Sequence, residues 1–107
     1  MNWIDVNTVE LNKSAVLTYN YAFGGAVIDR TLVTPWREDV ITLTEQVDQF
    51  LEGAATKPET SPWTGRNALF SIWIGINDIG NSYYLEGDRA AWVLFAFMVK
   101  EGNPNAR

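Results

Sequence analysis

The feature that most constrains this chain is residues 68–82, Ala-Leu-Phe-Ser-Ile-Trp-Ile-Gly-Ile-Asn-Asp-Ile-Gly-Asn-Ser, an apolar run that stops abruptly in glycines, amides and one carboxylate. Leu69, Phe70, Ile72, Trp73 and Ile74 are aromatic, β-branched or aliphatic, and the run is too short for an ordinary helix, so a strand is expected. Apolar side chains on both faces favour a parallel strand covered on both sides. Gly75 would end it. Ligands of open parallel sheets bind beyond the carboxyl ends of the strands, which makes Asn77 and Asp78 candidates for chemistry. Asn and Asp also serve simply to turn the chain and cap the next helix, and that plainer role is the alternative for both.

Upstream, residues 15–21, Ala-Val-Leu-Thr-Tyr-Asn-Tyr, have strand composition and run into Phe23-Gly24-Gly25-Ala26, a permissive loop. Residues 29–33 suggest a helical turn, and Thr34-Pro35 a helix start. Between residues 39 and 52, Val40, Leu43, Val47, Phe50 and Leu51 recur at helical spacing, with Gly53 a plausible C′ residue, which predicts a helix packed on a sheet. Residues 54–63, with Pro58 and Pro62, read as a loop, and residues 3–13 as a short amphipathic helix. Strand, Gly-Gly loop, helix, long loop, strand is a parallel crossover, and it would bring Gly24-Gly25 and Asn77-Asp78 to one edge of the sheet.

Composition limits the functions open to the chain. With 107 residues it allows one small domain, and 47% hydrophobic against 20% charged residues indicates a globular chain. A net charge of −5 without a basic stripe argues against nucleic acid. The apolar run at residues 90–99 is about half of what a bilayer-spanning helix needs, so no membrane association is expected. No secretory signal opens the sequence, which leaves localisation unassigned, and Asn12-Lys13-Ser14 matches a glycosylation acceptor. Absence of Cys excludes disulfides and thiolate metal sites; absence of His removes the commonest general base and metal ligand, and no cofactor is implied. An acidic metal site of Asp78, Glu86 and Asp88 is the lesser alternative, against the plainer reading of solvated surface carboxylates.

The two loops carry a family resemblance. Asn20-Tyr21-Ala22-Phe23-Gly24-Gly25-Ala26 resembles the second block of the SGNH (GDSL-type) hydrolases, and Gly75-Ile76-Asn77-Asp78 their third block, Gly-x-Asn-Asp. The phrases Leu-Thr-Tyr-Asn-Tyr-Ala-Phe-Gly-Gly-Ala, Leu-Val-Thr-Pro-Trp and Trp-Ile-Gly-Ile-Asn-Asp-Ile-Gly-Asn-Ser-Tyr-Tyr are most similar to fungal secreted acetyl esterases of carbohydrate esterase family 16. That resemblance implies an α/β fold, part of a three-layer α/β/α flavodoxin-like sandwich with parallel strands, and hydrolysis of acetylated carbohydrates or other small esters through an acyl-serine. It implies that Gly25 gives its backbone N–H and Asn77 its side-chain amide to the oxyanion, with Gly24, Gly75 and Asp78 shaping the loops.

The departures are as informative. No Gly-Asp-Ser occurs, and without His there is no Asp-x-x-His. Ser14 precedes a strand, Ser61 precedes a proline, Ser71 lies in the apolar run, and Ser82 has no lysine placed beside it. The resemblance covers residues 3–89 and then fades, giving a partial hydrolase domain at residues 1–89 and a divergent segment at 90–107. The expectation is the middle of an esterase, holding two oxyanion donors without nucleophile or base, inactive alone and prone to self-association through exposed sheet edges. The alternative is a binding module in which Trp36, Trp63, Trp73, Tyr83 and Tyr84 stack on sugars, with Trp73 and Trp36 the more readily explained as core. Saturable tryptophan fluorescence with acetylated xylo-oligosaccharides would favour the binding module.

Overall fold

The computed structural model describes residues 3–11, 13 and 16–87. The divergent segment 90–107, Asp88 of the acidic metal reading, and Asn12 and Ser14 of the glycosylation match lie outside the described residues. Helix α1, Trp3–Asp5, runs into a π-helical turn, Val6–Glu10. Irregular chain from residue 16 reaches a turn at Gly24 and Gly25 and continues to α2, Leu43–Glu52. A 3₁₀ turn, Ala54–Thr56, follows; irregular chain with turns leads to α3, Ile76–Gly80.

The expected parallel sheet does not form: among the described residues there is no strand, and the α/β/α sandwich is corrected to short helices joined by long irregular segments. The physical reason is visible at residues 68–74, which make no hydrogen bond with any other described residue. Leu69 and Trp73 are 95% and 87% exposed there. A doubly covered strand needs a neighbour about 4.8 Å away on its edges and layers over its faces. Residues 16–23 do not supply that neighbour. Instead, Tyr19 donates through its hydroxyl to the Thr60 carbonyl at 2.9 Å, and the Tyr21 ring meets Phe50 edge-on at 6.3 Å.

The predicted helix is present over Leu43–Glu52 rather than from residue 39. Thr42 and Glu45 make a capping box, with the Glu45 carboxylate accepting the Thr42 N–H at 2.7 Å and the Thr42 hydroxyl accepting the Glu45 N–H at 3.4 Å. Two further N–H groups at this end, those of Leu43 and Thr44, donate to the carbonyls of Val27 and Ile28 at 2.9 and 3.2 Å. The helix start is thereby fastened to residues 27–28, which take the place of the expected sheet. Gly53 is the C-cap, but its φ of −105° is not left-handed; the left-handed residue is Lys57, after the 3₁₀ turn. No helix begins at Thr34-Pro35, whereas residues 29–33 do turn, the Val33 N–H reaching the Asp29 carbonyl at 3.1 Å.

Two packed centres result. Ala26, Val27, Ile28, Val33, Val40 and Ala54 are buried. Beside them Phe50, Trp63 and Phe70 pack with ring centroids 5.4 to 6.1 Å apart, each such pair contributing roughly 0.5–1.5 kcal/mol beyond its area. The apolar side chains of the N-terminal helix stay outside both, Trp3, Val9 and Leu11 being exposed.

Candidate functional site

The site is built where residues 24–28 meet α3. The Ala26 N–H reaches back to the Phe23 carbonyl at 3.2 Å, closing a turn around Gly24 and Gly25. Gly25 has φ +84°, as the third residue of a type II turn requires; the left-handed conformation sits there and not at Gly24, the residue expected to turn the chain. A Cβ on Gly25 would lie 2.3 Å from Nε1 of Trp36, so the indole rests directly against the glycine backbone. The Gly25 N–H makes no hydrogen bond with another described residue.

From the other side, Gly75 at φ +113° caps α3 and sets its first turn. Asn77, half-buried, donates through Nδ2 to the Ala26 carbonyl at 3.0 Å. Asp78 is buried, and its Oδ1 accepts the Ile28 N–H at 3.0 Å. Two consecutive residues of Gly-x-Asn-Asp therefore grip two alternate residues of the loop that follows Gly24-Gly25. The Ser82 hydroxyl donates to the Asp78 carbonyl at 2.6 Å, which closes the far end of α3.

Electrostatically the site holds one buried carboxyl. Burial pushes Asp78 above the usual carboxylate range, opposed by the Ile28 N–H, while its Oδ2 has no partner. Of the two N–H groups on the Asn77 amide, one is engaged by the Ala26 carbonyl. No group of three His, Cys, Asp or Glu that would hold a metal occurs among the described residues.

The structure thus brings Gly24, Gly25, Gly75, Asn77 and Asp78 to one place. It separates the aromatic residues. Trp63 is packed against Phe50 and Phe70, donates through Nε1 to the Ala54 carbonyl at 2.6 Å, and lies under the Lys57 ammonium. Trp73, expected in the core, is exposed, as are Tyr83 and Tyr84. Trp36 is 63% exposed with the Arg37 guanidinium 4.6 Å from its ring centroid. Asn81, which belongs to neither of the two motif loops, donates through Nδ2 to the Thr34 carbonyl at 3.2 Å. Its signal was the spacing: one helical turn beyond Asn77, on the same face.

Compared with known proteins, 84 residues of this chain, 78% of it, are 43% identical to an acetylesterase from Thermothelomyces thermophilus. The match covers 28% of that relative's length. The segment is accordingly esterase-related. No family model matches the chain, and no solved structure matches it.

Proposed function

We propose that this chain is the oxyanion-binding segment of an SGNH-type carbohydrate acetyl esterase of the family 16 kind, its residues 1–89 being the hydrolase portion and 90–107 a divergent end. The observation that supports the reading is the 3.0 Å hydrogen bond from the Asn77 amide to the carbonyl of Ala26, the residue after Gly25, in a segment related to an acetylesterase. Attack on an acetyl carbonyl places negative charge on its oxygen, and the Gly25 N–H and the second Asn77 N–H are donors fixed before that charge appears. Asp78 acts as the strut that holds the loop, its carboxylate spent on the Ile28 N–H.

The nucleophile and base belong elsewhere, since the chain has no His and no Gly-Asp-Ser. The isolated chain is expected not to turn over an aryl acetate. The positive test is a chimera in which this chain's aligned segment replaces its counterpart in the Thermothelomyces thermophilus acetylesterase. Activity should persist, and Asn77→Ala within the chimera should lower kcat by about 10²–10³. A chimera whose kcat ignores that substitution refutes the donor role.

A further inference from the structure

We infer that residues 68–74 are a β-pairing edge for a second copy of this chain, a property separate from any ester chemistry. Within one chain these residues belong to no helix, turn or bend, and they make no hydrogen bond with any other described residue. None of them is proline, so each has both an N–H and a carbonyl to offer. Exposure alternates along the stretch with the period of a strand: Leu69 and Trp73 are 95% and 87% exposed, whereas Phe70 and Ile72 between them are 59% and 71%, and Ile74 is half-buried. The less exposed set is turned toward the chain's own interior, where the Phe70 ring stands 5.6 and 5.4 Å from those of Phe50 and Trp63. One face is thus partly backed, and the opposite face and the backbone edges are left over.

The sequence chooses the occupant. From residue 67 to residue 77 there is no charged side chain and no proline, the two devices by which exposed edges are usually kept from pairing. Copies can lie side by side there without setting like charges opposite each other, the nearest charges being Arg66 before the stretch and the buried Asp78 after it. Residues 69–74, Leu-Phe-Ser-Ile-Trp-Ile, are rich in aromatic and β-branched side chains and free of glycine, which is the composition of self-pairing segments. The area suffices as well: Leu69, Phe70, Ile72, Trp73 and Ile76 expose on the order of 700 Å² per copy, close to the roughly 800 Å² a side of a standard interface. A net charge of −5 makes an anionic lipid surface the poorer occupant. Because neither edge is hydrogen-bonded among the described residues, pairing one leaves the other open, and growth does not stop at a dimer.

The test is hydrogen exchange of the full chain across a concentration series, read by mass spectrometry on the peptide that holds residues 68–75. At dilution these amides should exchange freely, and at high concentration about tenfold or more slowly. Ser71→Pro removes one ladder donor and leaves all five large side chains in place, so it should abolish the concentration-dependent slowing; Ser71→Thr, which keeps the N–H, should behave as the parent. The α2 signal in circular dichroism should be equal in all three, which separates lost pairing from lost folding; if the proline variant loses α2, the parent's concentration series decides alone. Association without slowing means that side chains alone make the contact and overturns the pairing, as does equal slowing in Ser71→Pro. Slow exchange already at dilution puts the cover within the chain itself, and slowing that requires phosphatidylcholine vesicles instead of more protein assigns the face to lipid; either result overturns it too.

Discussion

Asp78 carries more of this structure than its place in a five-residue helix suggests. Its carboxylate satisfies the Ile28 N–H inside the better packed of the two centres, where an unpaired donor costs about 1–3 kcal/mol. Asp78→Ala should therefore lower the unfolding free energy obtained from urea titration by that order, and Asp78→Asn, which keeps an acceptor oxygen, by clearly less; equal losses would show that the bond to Ile28 does not matter. The pH dependence has a definite sign. A carboxyl raised by burial holds its proton more tightly folded than unfolded, so its contribution favours folding at low pH and is lost as pH rises from the ordinary 3.8 through the raised value. Asn77 and Asp78 were legible in the sequence because amides and carboxylates directly after an apolar run are conspicuous. The division of labour between Gly24 and Gly25 was not, since two adjacent glycines are equally permissive and only the backbone shows which has positive φ. The contact of Trp36 with Gly25 was hidden for a related reason: the two lie eleven positions apart, and no periodicity connects them.

At the scale of elements, α2 was legible and its beginning was not. The apolar spacing through Leu43, Val47 and Phe50 marks the helix, but Val40 fits the same spacing while standing buried in the chain ahead of it. The sharper signal was Thr42 followed three residues later by Glu45. Glu45 does two jobs, closing the capping box and receiving Arg30 through both oxygens at 2.8 and 3.1 Å, while Arg30 also donates to the Val40 carbonyl at 2.9 Å. Hydrogen bonds from Arg30 and then from the Thr42 N–H hold the Glu45 carboxyl down at about 2. A depressed carboxyl stabilises the fold fully above its ordinary 4.5, and the stabilisation disappears as pH falls through about 2. Glu45 and Asp78 thus pull in opposite directions on acidification. Thr42→Ala should cost about 1 kcal/mol. Circular dichroism of that variant should show reduced helix at neutral pH, and the Glu45→Gln variant should lose the acid-dependent step between pH 4.5 and 2 that the parent shows. A parent whose helix signal is flat across that range contradicts the assignment.

The whole molecule poses a problem that the local structure does not solve. Residues 67–77 contain no charged side chain, and Leu69, Phe70, Ile72, Trp73 and Ile76 within them are exposed. A buried strand was expected for Leu69, Phe70, Ile72 and Trp73, and the structure overturns it: apart from the Phe50 and Trp63 rings against Phe70, no described layer covers this surface, because burial is a property of the partner surface as much as of the segment. Two copies meeting through this surface would each bury several large side chains at about 1.5–3 kcal/mol apiece. Against this stands repulsion between chains of net charge −5, which is screened beyond about 8 Å at physiological ionic strength. Several such side chains from each copy also exceed the roughly 4–15 kcal/mol cost of lost translational and rotational freedom, and the balance moves further toward association as salt is added. Sedimentation velocity should accordingly show the chain associating with rising concentration, more strongly at 0.5 M than at 0.05 M salt. The double variant Leu69→Lys, Trp73→Lys should shift the distribution to monomer, because each ammonium then faces its copy across the contact. Neither side chain belongs to the Val27–Val40 centre, so the α2 signal should survive the change. Association that persists in the double variant would move the contact elsewhere, and a parent that stays monomeric at every concentration would mean that these side chains find cover within their own chain.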